Sequence, residues 1–430
     1  MYFSIMIENF LHYIWRHKKI ALGNLKTAAQ ESVTVLQVGT HNHNTGPDFF
    51  NAQIKIADQL WAGNVEIHIK SSDWFLHNHE QDPNYDNVIL HVVWEHDTEI
   101  HRKDNTVIPT LVLKDVVSKT ALHNYQKLFS KKQKWIHCEN DFASIDDFII
   151  SNWLERLYFE RLERKSTDIT QLLESSKNNW EAVLFKMLAK NFGLKVNGEA
   201  FLSLANSFPF NLVQKLQTQQ SRMEALLFGQ ADLLDADVQD LYYLELKKEY
   251  QFLKQKHSLS GAAVTPFQFF RLRPPNFPTI RISQLASVYA SQTNLFSKII
   301  RATCKEEIYS LFDVATSAYW ENHFTFGKVS KSSKKRVSKA FIDLLLINTI
   351  VPLKFSFAKQ QGKDIDDAVV GIINEIASEK NSIVTKFQEL KPIAKSAMHS
   401  QALLQLKIEY CAKHKCLQCA IGNRLLTGDF

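Results

Sequence analysis

The spacing of apolar residues changes near residue 117, and this change constrains the fold more than any other feature of the chain. Before it, apolar side chains alternate with polar ones or form short runs, as in SVTVLQVG and NVILHVVWEHD, which is typical of β-strands. After it, segments such as WLERLYFERLERK and AFIDLLLINTI have the helical period. We therefore predict an α+β protein, with an N-terminal mixed β-sheet and flanking helices over residues 1–116 and a mostly α-helical region, of one or two subdomains, over residues 117–430.

The front domain is predicted to begin with a helix and to continue into strands. Apolar residues recur at helical spacing from Ile7 to Trp15, which favours an amphipathic first helix. Two extended segments, residues 49–57 and 61–71, are separated by the short connection Asp58-Gln59-Leu60 and are expected to form a hairpin. The polar stretch after them has room for one short helix, and further strands are expected at residues 87–97 and 107–115.

Composition limits the compartment and the enzyme class. The apolar fraction of 45% and the charged fraction of 22% are ordinary for a globular protein. No run approaches the roughly 20 apolar residues that span a bilayer, and the first residues lack the basic leader of a signal peptide. Five cysteines in such a chain are not a disulfide framework. We therefore expect a cytoplasmic protein without a membrane partner, and the HExxH, GxSxG, P-loop and GxGxxG fingerprints are missing.

Charge is distributed unevenly along the chain. Residues 1–115 contain 9 Lys and Arg against 14 Asp and Glu, a balance of −5, whereas the remainder contains 42 against 31, a balance of +11. Ten of the 16 histidines lie at or before His101. An acidic, histidine-rich front half followed by a basic back half suits a metal site combined with a surface that binds polyanions.

One predicted strand, WAGNVEIHIK, carries polar side chains along a whole face. Successive residues of a strand point to opposite faces, so positions 65, 67 and 69 form an apolar face and the other face carries Asn64, Glu66, His68 and Lys70. This polar face is either a sheet edge in water or part of a metal site. Asp48 follows Gly46-Pro47 at the start of the preceding strand, and pairing across the hairpin would bring it close to this face.

The order of elements in the front domain resembles the core of the PD-(D/E)XK nuclease superfamily, the restriction-endonuclease-like fold. The shared features are a helix, a strand, a strand that begins with Pro-Asp, a strand that carries Glu-x-basic, a short helix and a further strand. The resemblance implies that Asp48 and Glu66 hold Mg²⁺ or Mn²⁺ and act in catalysis. The chain departs from the pattern at His68, which stands where the family has lysine; Lys70, on the same face, is the candidate for the missing ammonium.

This resemblance leads to two hypotheses about function. The first is a metal-dependent phosphodiesterase that acts on nucleic acid through a metal bound by Asp48 and Glu66, with His68 and Lys70 beside it. The second is a non-catalytic nucleic-acid-binding or scaffold protein with a degenerate nuclease core and a zinc-stabilised C-terminus. The substitution at His68 is the feature that counts against hydrolysis, because degenerate members of the superfamily bind nucleic acid without cutting it; the second hypothesis is therefore kept as the alternative to the first.

Further histidines follow the polar strand. His77 and His79 can meet one metal ion, and with Asp82 they would suit a zinc hydrolase; the alternative is a polar surface turn. His91 lies in a strand that is apolar on both faces, which favours a hydrogen-bonded core histidine over a ligand.

The C-terminal segment contains Cys411, Cys416 and Cys419 at the spacing Cys-x4-Cys-x2-Cys. In a chain without disulfides this spacing predicts a structural zinc or iron–sulfur site, with three incidental buried thiols as the alternative. The fourth ligand is expected to be His414, Cys138 or Cys304. Zinc accepts either a cysteine or a histidine there, whereas an iron–sulfur cluster usually takes four cysteines.

Two basic clusters in the back half are candidates for contacts with nucleic acid. Arg271, Arg273 and Arg281 flank the rigid PPNFP turn. The segment KVSKSSKKRVSK contains six basic residues with no acid, among them Lys334, Lys335 and Arg336. Such clusters suit a phosphate backbone, although a solvated helix face also explains a single basic run.

Four short motifs are spread over most of the chain: GPDF near residue 46, VEIH with SDW near residue 66, RPPNFPT near residue 273 and CLQCAIG near residue 416. With these motifs the chain resembles an uncharacterised bacterial family of similar length, a domain of unknown function. That resemblance implies no particular activity.

Overall fold

A computed structural model describes residues 8–130, 134–363 and 367–428. The chain divides into two compact units. The sheet unit consists of Met1–Leu154, Glu389–Lys391 and Leu404–Phe430, and the helical unit consists of Glu155–Gln388 and Pro392–Leu403. The division differs from the predicted boundary after residue 116, because the C-terminal segment returns to the sheet unit and the residues up to Leu154 stay with it.

The described residues contain nine β-strands. They are β1 (Leu25–Lys26), β2 (Ser32–Gln37), β3 (Thr40–His41), β4 (Phe49–Ile56), β5 (Gln59–Lys70), β6 (Val88–Glu95), β7 (Thr110–Val112), β8 (His323–Thr325) and β9 (Lys328–Val329). The first seven form one sheet in the order β1-β2-β4-β5-β6-β7, with β3 paired to β4. Pairing is antiparallel up to β5, and β5, β6 and β7 are parallel to one another. The predicted mixed sheet is confirmed.

The predicted hairpin is formed by β4 and β5. The chain turns at Ala57, whose φ is +51°, and Ile56 pairs with Gln59. At the far end Phe49 pairs with Val65, after a bulge between Phe49 and Ala52. This register places the residue before Phe49, which is Asp48, next to Glu66.

Strand β5 lies in the interior of the sheet. It is buried continuously from Gly63 to His68, and β6 beside it is buried from Val88 to Trp94. Gly63 is required there, because an added Cβ would overlap Ile89 and lie 2.7 Å from the main-chain oxygen of Asn87. The hypothesis that the polar face of β5 is a solvated sheet edge is therefore wrong: its central residues are covered.

The described residues contain 18 α-helices, which are distributed as the periodicity predicts. They are α1 (Glu8–Arg16), α2 (Asp73–Leu76), α3 (Lys119–Leu128), α4 (Asp147–Ser175), α5 (Trp180–Phe192), α6 (Leu194–Asn206), α7 (Phe210–Leu216), α8 (Gln220–Gln230), α9 (Leu241–His257), α10 (Pro278–Ser291), α11 (Leu295–Arg301), α12 (Lys305–Leu311), α13 (Lys339–Leu345), α14 (Val351–Gln360), α15 (Asp367–Glu375), α16 (Ser382–Leu390), α17 (Ala397–Gln405) and α18 (Ala420–Thr427). Within the sheet unit, α1 and α2 pack against β5, and α18 packs against α3.

Among the described residues, one helical stretch in the helical unit is long and apolar enough to cross a membrane. It runs from Lys339 to Gln360, through α13, a π-helical turn at Leu346–Ile350 and α14. Its most apolar window is 72% buried inside the fold. Burial of this kind is expected for a core helix, and the apolar composition follows from it.

Candidate metal centre

Asp48 and Glu66 meet where β4 begins beside β5. The main-chain N–H of Asp48 donates to Glu66 Oε2 over 3.1 Å, and the N–H of Ile67 donates to Asp48 Oδ2 over 2.9 Å. The hairpin register thus holds both carboxylates through the backbone. The expectation from the sequence that these two acids lie together agrees with this geometry.

Three histidines gather beside Glu66. The ligand nitrogens of His68, His77 and His79 all lie within 4.8 Å of one another. Glu66 Oε1 is 3.5 Å from His68 Nε2 and 3.4 Å from His79 Nε2. These four side chains, His68, His77, His79 and Glu66, are called the histidine group below.

A second group of ligand atoms involves the first helix. Glu8, His12 and Asp48 also bring one ligand atom each within 4.8 Å of the others. His12 Nε2 lies 3.2 Å from Asp48 Oδ2 and 3.7 Å from Glu8 Oε1. This set, called the helix group below, adjoins the histidine group through the hydrogen bond between Asp48 and Glu66.

Glu66 is strongly disfavoured as a free anion. Burial, followed by the negative charge of Asp48, raises the pKa of Glu66 to about 9. The side chain is 5% exposed. A cation beside it would favour the charged form, so the environment of this carboxyl suits either a proton or a metal ion.

His68 is held as a neutral imidazole. Burial, helped by repulsion from His79 and His77, lowers the pKa of His68 to about 3. Its Nδ1 lies 2.8 Å from Nε2 of His91, and its Nε2 faces His77 Nδ1 at 3.1 Å. A neutral imidazole oriented by a hydrogen bond on its far nitrogen is the form that ligates metals. It cannot supply the positive charge of a lysine.

His91 supports this arrangement from the next strand. It is completely buried in β6 and makes the hydrogen bond to His68. The prediction that His91 is a hydrogen-bonded core histidine is confirmed.

Lys70 lies at the exposed end of β5. Its side chain is exposed, and its main-chain N–H donates to Asp73 Oδ2 over 2.9 Å. The cation-forming group beside Asp48 is instead His12. Burial alone would lower the pKa of His12, but the hydrogen bond and charge of Asp48 raise it above its ordinary value.

His77 and His79 join His68 rather than Asp82. The carboxylate of Asp82 accepts hydrogen bonds from the main chain and side chain of Asn84, at 2.9 and 2.8 Å, and begins a short 3₁₀ turn. His79 stacks on Tyr85 with ring centroids 3.8 Å apart. The proposed trio of His77, His79 and Asp82 is therefore replaced by the histidine group.

The side chains present fit a transition metal better than magnesium. Mg²⁺ prefers carboxylate and water oxygens, whereas three imidazoles and a carboxylate are typical ligands of zinc and suit manganese. Within the described residues, Nε2 of His79 is buried and makes no hydrogen bond. Its nearest carboxylate oxygen is Glu66 Oε1 at 3.4 Å, and a cation shared by the two groups would satisfy both.

The predicted basic clusters have different environments. Arg271, Arg273 and Lys334 are exposed. Arg336 forms an ion pair with Asp313 at 2.6 Å. Lys335 is buried, and its ammonium donates to main-chain oxygens of Trp320, Glu321 and Ser333. This burial corrects the prediction that Lys335 contacts phosphate, because its ammonium group binds main-chain oxygens inside the helical unit.

The C-terminal cysteines gather in the sheet unit. Cys138, Cys411, Cys416 and Cys419 line one cavity. His414 makes a hydrogen bond to His137, with 2.7 Å between Nδ1 and Nε2, and Cys304 belongs to the helical unit. Of the three candidates for the fourth ligand, the structure brings Cys138 to the others.

The helix group was missed by sequence reasoning. Glu8 and His12 are four residues apart, so they share one face of α1, and this i,i+4 pair of ligand types was a usable signal. What the sequence does not show is that α1 lies over β5 near Asp48.

The fold and the site define an α+β protein whose sheet carries a candidate metal centre rich in histidine and carboxylate. The chain belongs to the family described as protein of unknown function (DUF2851), whose model matches residues 8–382. No curated protein and no solved structure matches the chain. Membership of an uncharacterised family, expected from the motifs, is confirmed.

Proposed function

We propose that the protein is a metal-dependent phosphodiesterase that acts on nucleic acid, with its centre at the histidine group and the helix group. The observation that carries this proposal is the adjacency of the two groups, each with three ligand atoms within 4.8 Å. Paired cation sites of this kind are common in enzymes that cleave phosphate esters. The resemblance of the front domain to PD-(D/E)XK nucleases supports the same class of reaction.

The histidine group would hold a Mn²⁺ or Zn²⁺ ion, and the helix group, through Asp48 and Glu8, would hold or stabilise a second cation. When bound, such an ion supplies Lewis acidity and lowers the pKa of water. The chain's own residues orient and shield the centre. His91 fixes the ring of His68, while Trp74 and Tyr85, both buried, pack against His79 and exclude water from that side.

The open side of the centre is where a substrate would enter. His77 is exposed, and the side chain of Glu8 is 40% exposed. His12, with its raised pKa, is the group that can hold a proton beside Asp48 and donate it to a leaving oxygen. Exposed basic residues of the helical unit, Arg271, Arg273 and Lys334, suit the phosphate backbone of a nucleic acid.

The proposal is tested with the full chain, stripped of metal by a chelator and assayed on single- and double-stranded DNA and on RNA with Mg²⁺, Mn²⁺ or Zn²⁺. We expect cleavage with Mn²⁺ or Zn²⁺ that exceeds cleavage with Mg²⁺. Asp48→Asn and Glu66→Gln should reduce the rate by about 100-fold or more. His123→Ala, at an exposed position of α3, is the matched control. Cleavage that survives both carboxylate substitutions would show that the centre is assigned wrongly.

The neutral, buried state of His68 favours a second candidate, a nucleic-acid-binding protein that does not cleave. This candidate predicts binding that weakens steeply with salt and no turnover with any of the three metals. Neutralising Lys334 and Arg273 should then weaken binding without altering metal affinity. Absence of salt-dependent binding would exclude it.

A further inference from the structure

A four-cysteine site is assembled from two distant parts of the sheet unit. Cys138 follows the Ile136-His137 pair. Of the other three cysteines, Cys411 ends a π-helical turn, Cys416 begins a 3₁₀ turn and Cys419 precedes α18. All four line one cavity, with apolar walls that include Leu128 and Phe142. From these thiols and their surroundings we propose that the protein binds one [4Fe–4S] cluster through Cys138, Cys411, Cys416 and Cys419.

Cys419 has the hydrogen-bond environment of a thiolate. It is 7% exposed and forms the N-cap of α18. The main-chain N–H groups of Ile421 and Gly422, in the first turn of α18, are directed at its sulfur. A neutral thiol is a weak acceptor, so two main-chain donors directed at one sulfur are explained by a sulfur that carries charge when a metal is bound.

The four thiols share apolar surroundings. Cys419 is buried, and the cavity that all four line is walled by Leu128, Ile136 and Phe142. Four thiolates in such surroundings are unfavourable alone, and a polycation between them offsets that cost.

A glycine allows the Cys-x2-Cys turn to pack on the following helix. A Cβ added at Gly422 would overlap the main-chain oxygen of Cys416. Since Gly422 N–H also donates to Cys419, the turn, the helix and the sulfur are built as one unit.

The spacing of the sulfurs favours a cluster over a single zinc ion. Four thiolates at about 2.3 Å from one Zn²⁺ lie about 3.8 Å from each other. Among the described residues, the groups of three or more ligand atoms within 4.8 Å are the histidine and helix groups, and neither contains a cysteine. In a [4Fe–4S] cluster each thiolate binds a different iron, so the sulfurs stand farther apart.

The cluster would join Cys138 to the C-terminal segment and so fix that segment in the sheet unit. This role is separate from the proposed cleavage, because the four cysteines are not members of the histidine or helix group. A chain that binds the cluster and lacks nuclease activity would leave this inference standing. A chain that cleaves nucleic acid but binds no cluster after reconstitution with iron and sulfide would overturn this inference alone.

The test is an analysis of the full chain purified without oxygen. We expect about four iron and four acid-labile sulfide per chain, with the broad visible absorption of an iron–sulfur protein that bleaches on reduction. Cys138→Ser and Cys419→Ser should lose most of the iron. Cys304→Ser is the matched control, since Cys304 lies in the helical unit, and it should keep the full content.

The His414→Ala variant tests whether the fourth ligand is the imidazole of His414 or the thiolate of Cys138. Iron content should be unchanged, because His414 bonds to His137 and Cys138 supplies the fourth ligand. One zinc per chain, or no metal after anaerobic purification and reconstitution with iron and sulfide, would overturn the proposal. Mössbauer spectra of the unmodified chain keep it testable if the serine variants fail to fold.

Discussion

Nδ1 of His68 lies 2.8 Å from Nε2 of His91, and both rings are buried in adjacent parallel strands of the sheet. The pairing is a consequence of register, since Glu66 of β5 pairs with His91 and His68 with Val93. It leaves Nε2 of His68 directed at the other members of the histidine group. His91 therefore orients the candidate ligand His68 from the buried side of the site.

The first prediction concerns His91. Replacing it with alanine removes the hydrogen bond that orients His68, and outer partners of this kind are typically worth 10- to 100-fold in metal affinity. We expect His91→Ala to weaken Mn²⁺ or Zn²⁺ binding by about that factor in calorimetric titration, while His123→Ala binds as the unmodified chain does. Equal affinities for the two variants would contradict the positioning role.

The second prediction concerns Lys70. Since its side chain is exposed, Lys70→Ala should change the cleavage rate less than about twofold, the range of ordinary surface substitutions. His12→Ala should reduce it strongly, because His12 is the group beside Asp48 that can carry a positive charge. Parallel rate measurements on both variants decide which residue takes the place of the nuclease lysine. A large loss in Lys70→Ala alone would restore the assignment made from the motif.

The sheet was predictable because its signals are local. Alternation in β5, the continuous apolar run in β6 and the short connection of the hairpin each describe one element and its nearest partner. The meeting of Asp48 and Glu66 followed from that hairpin. Burial of the polar face was not predictable, since the same alternation describes an edge strand and an interior strand whose polar side is covered by a helix.

Contacts between residues far apart in the sequence were the features that the sequence predicted least well. His12 reaches Asp48 from a separate helix, and Cys138 reaches the cysteine triplet across most of the chain. No local pattern specifies such encounters. Likewise the basic run around Lys335 has the appearance of a solvated surface, but one of its ammonium groups is used to bind main-chain carbonyls in the interior.

The third prediction uses this difference between Lys335 and its neighbour. Lys335→Ala removes the ammonium donor of the buried main-chain oxygen of Trp320, which costs about 1–3 kcal/mol for a well-buried group. We expect a clear fall in the free energy of unfolding in urea, whereas Lys334→Ala should change it by less than about 0.5 kcal/mol. Binding of nucleic acid should show the reverse order, because Lys334 is exposed. Similar stabilities of the two variants would contradict the internal role of Lys335.

The fourth prediction concerns the pH dependence of folding. Glu224 is 1% exposed in α8, accepts a hydrogen bond from Tyr242 Oη over 2.6 Å and another from Ser283. Burial nonetheless raises its pKa to about 7. Between the unfolded pKa of about 4.3 and this value, the folded chain holds a proton that the unfolded chain has lost. The free energy of unfolding therefore falls as the pH rises through this range, by about 4 kcal/mol at most.

Glu224→Gln should remove that part of the pH dependence. Urea unfolding of the variant should change less between about pH 5 and pH 8 than that of the unmodified chain. Glu245→Gln, at an exposed position of α9, is the control and should retain the full dependence. A slope that Glu224→Gln leaves intact would assign it to other groups.

The last prediction compares two glycines. At Gly422 a Cβ would overlap the main-chain oxygen of Cys416, whereas at Gly371 in α15 nothing lies within 4 Å of the added atom. Gly422→Ala should therefore displace the Cys-x2-Cys turn, lower the iron content and lower the melting temperature. Gly371→Ala should keep the metal and raise stability by about 0.5–1 kcal/mol, because alanine loses less backbone entropy in a helix than glycine. Iron analysis and thermal unfolding of both variants give the comparison, and a Gly422→Ala chain with full iron content would show that the turn tolerates a shift of Cys416.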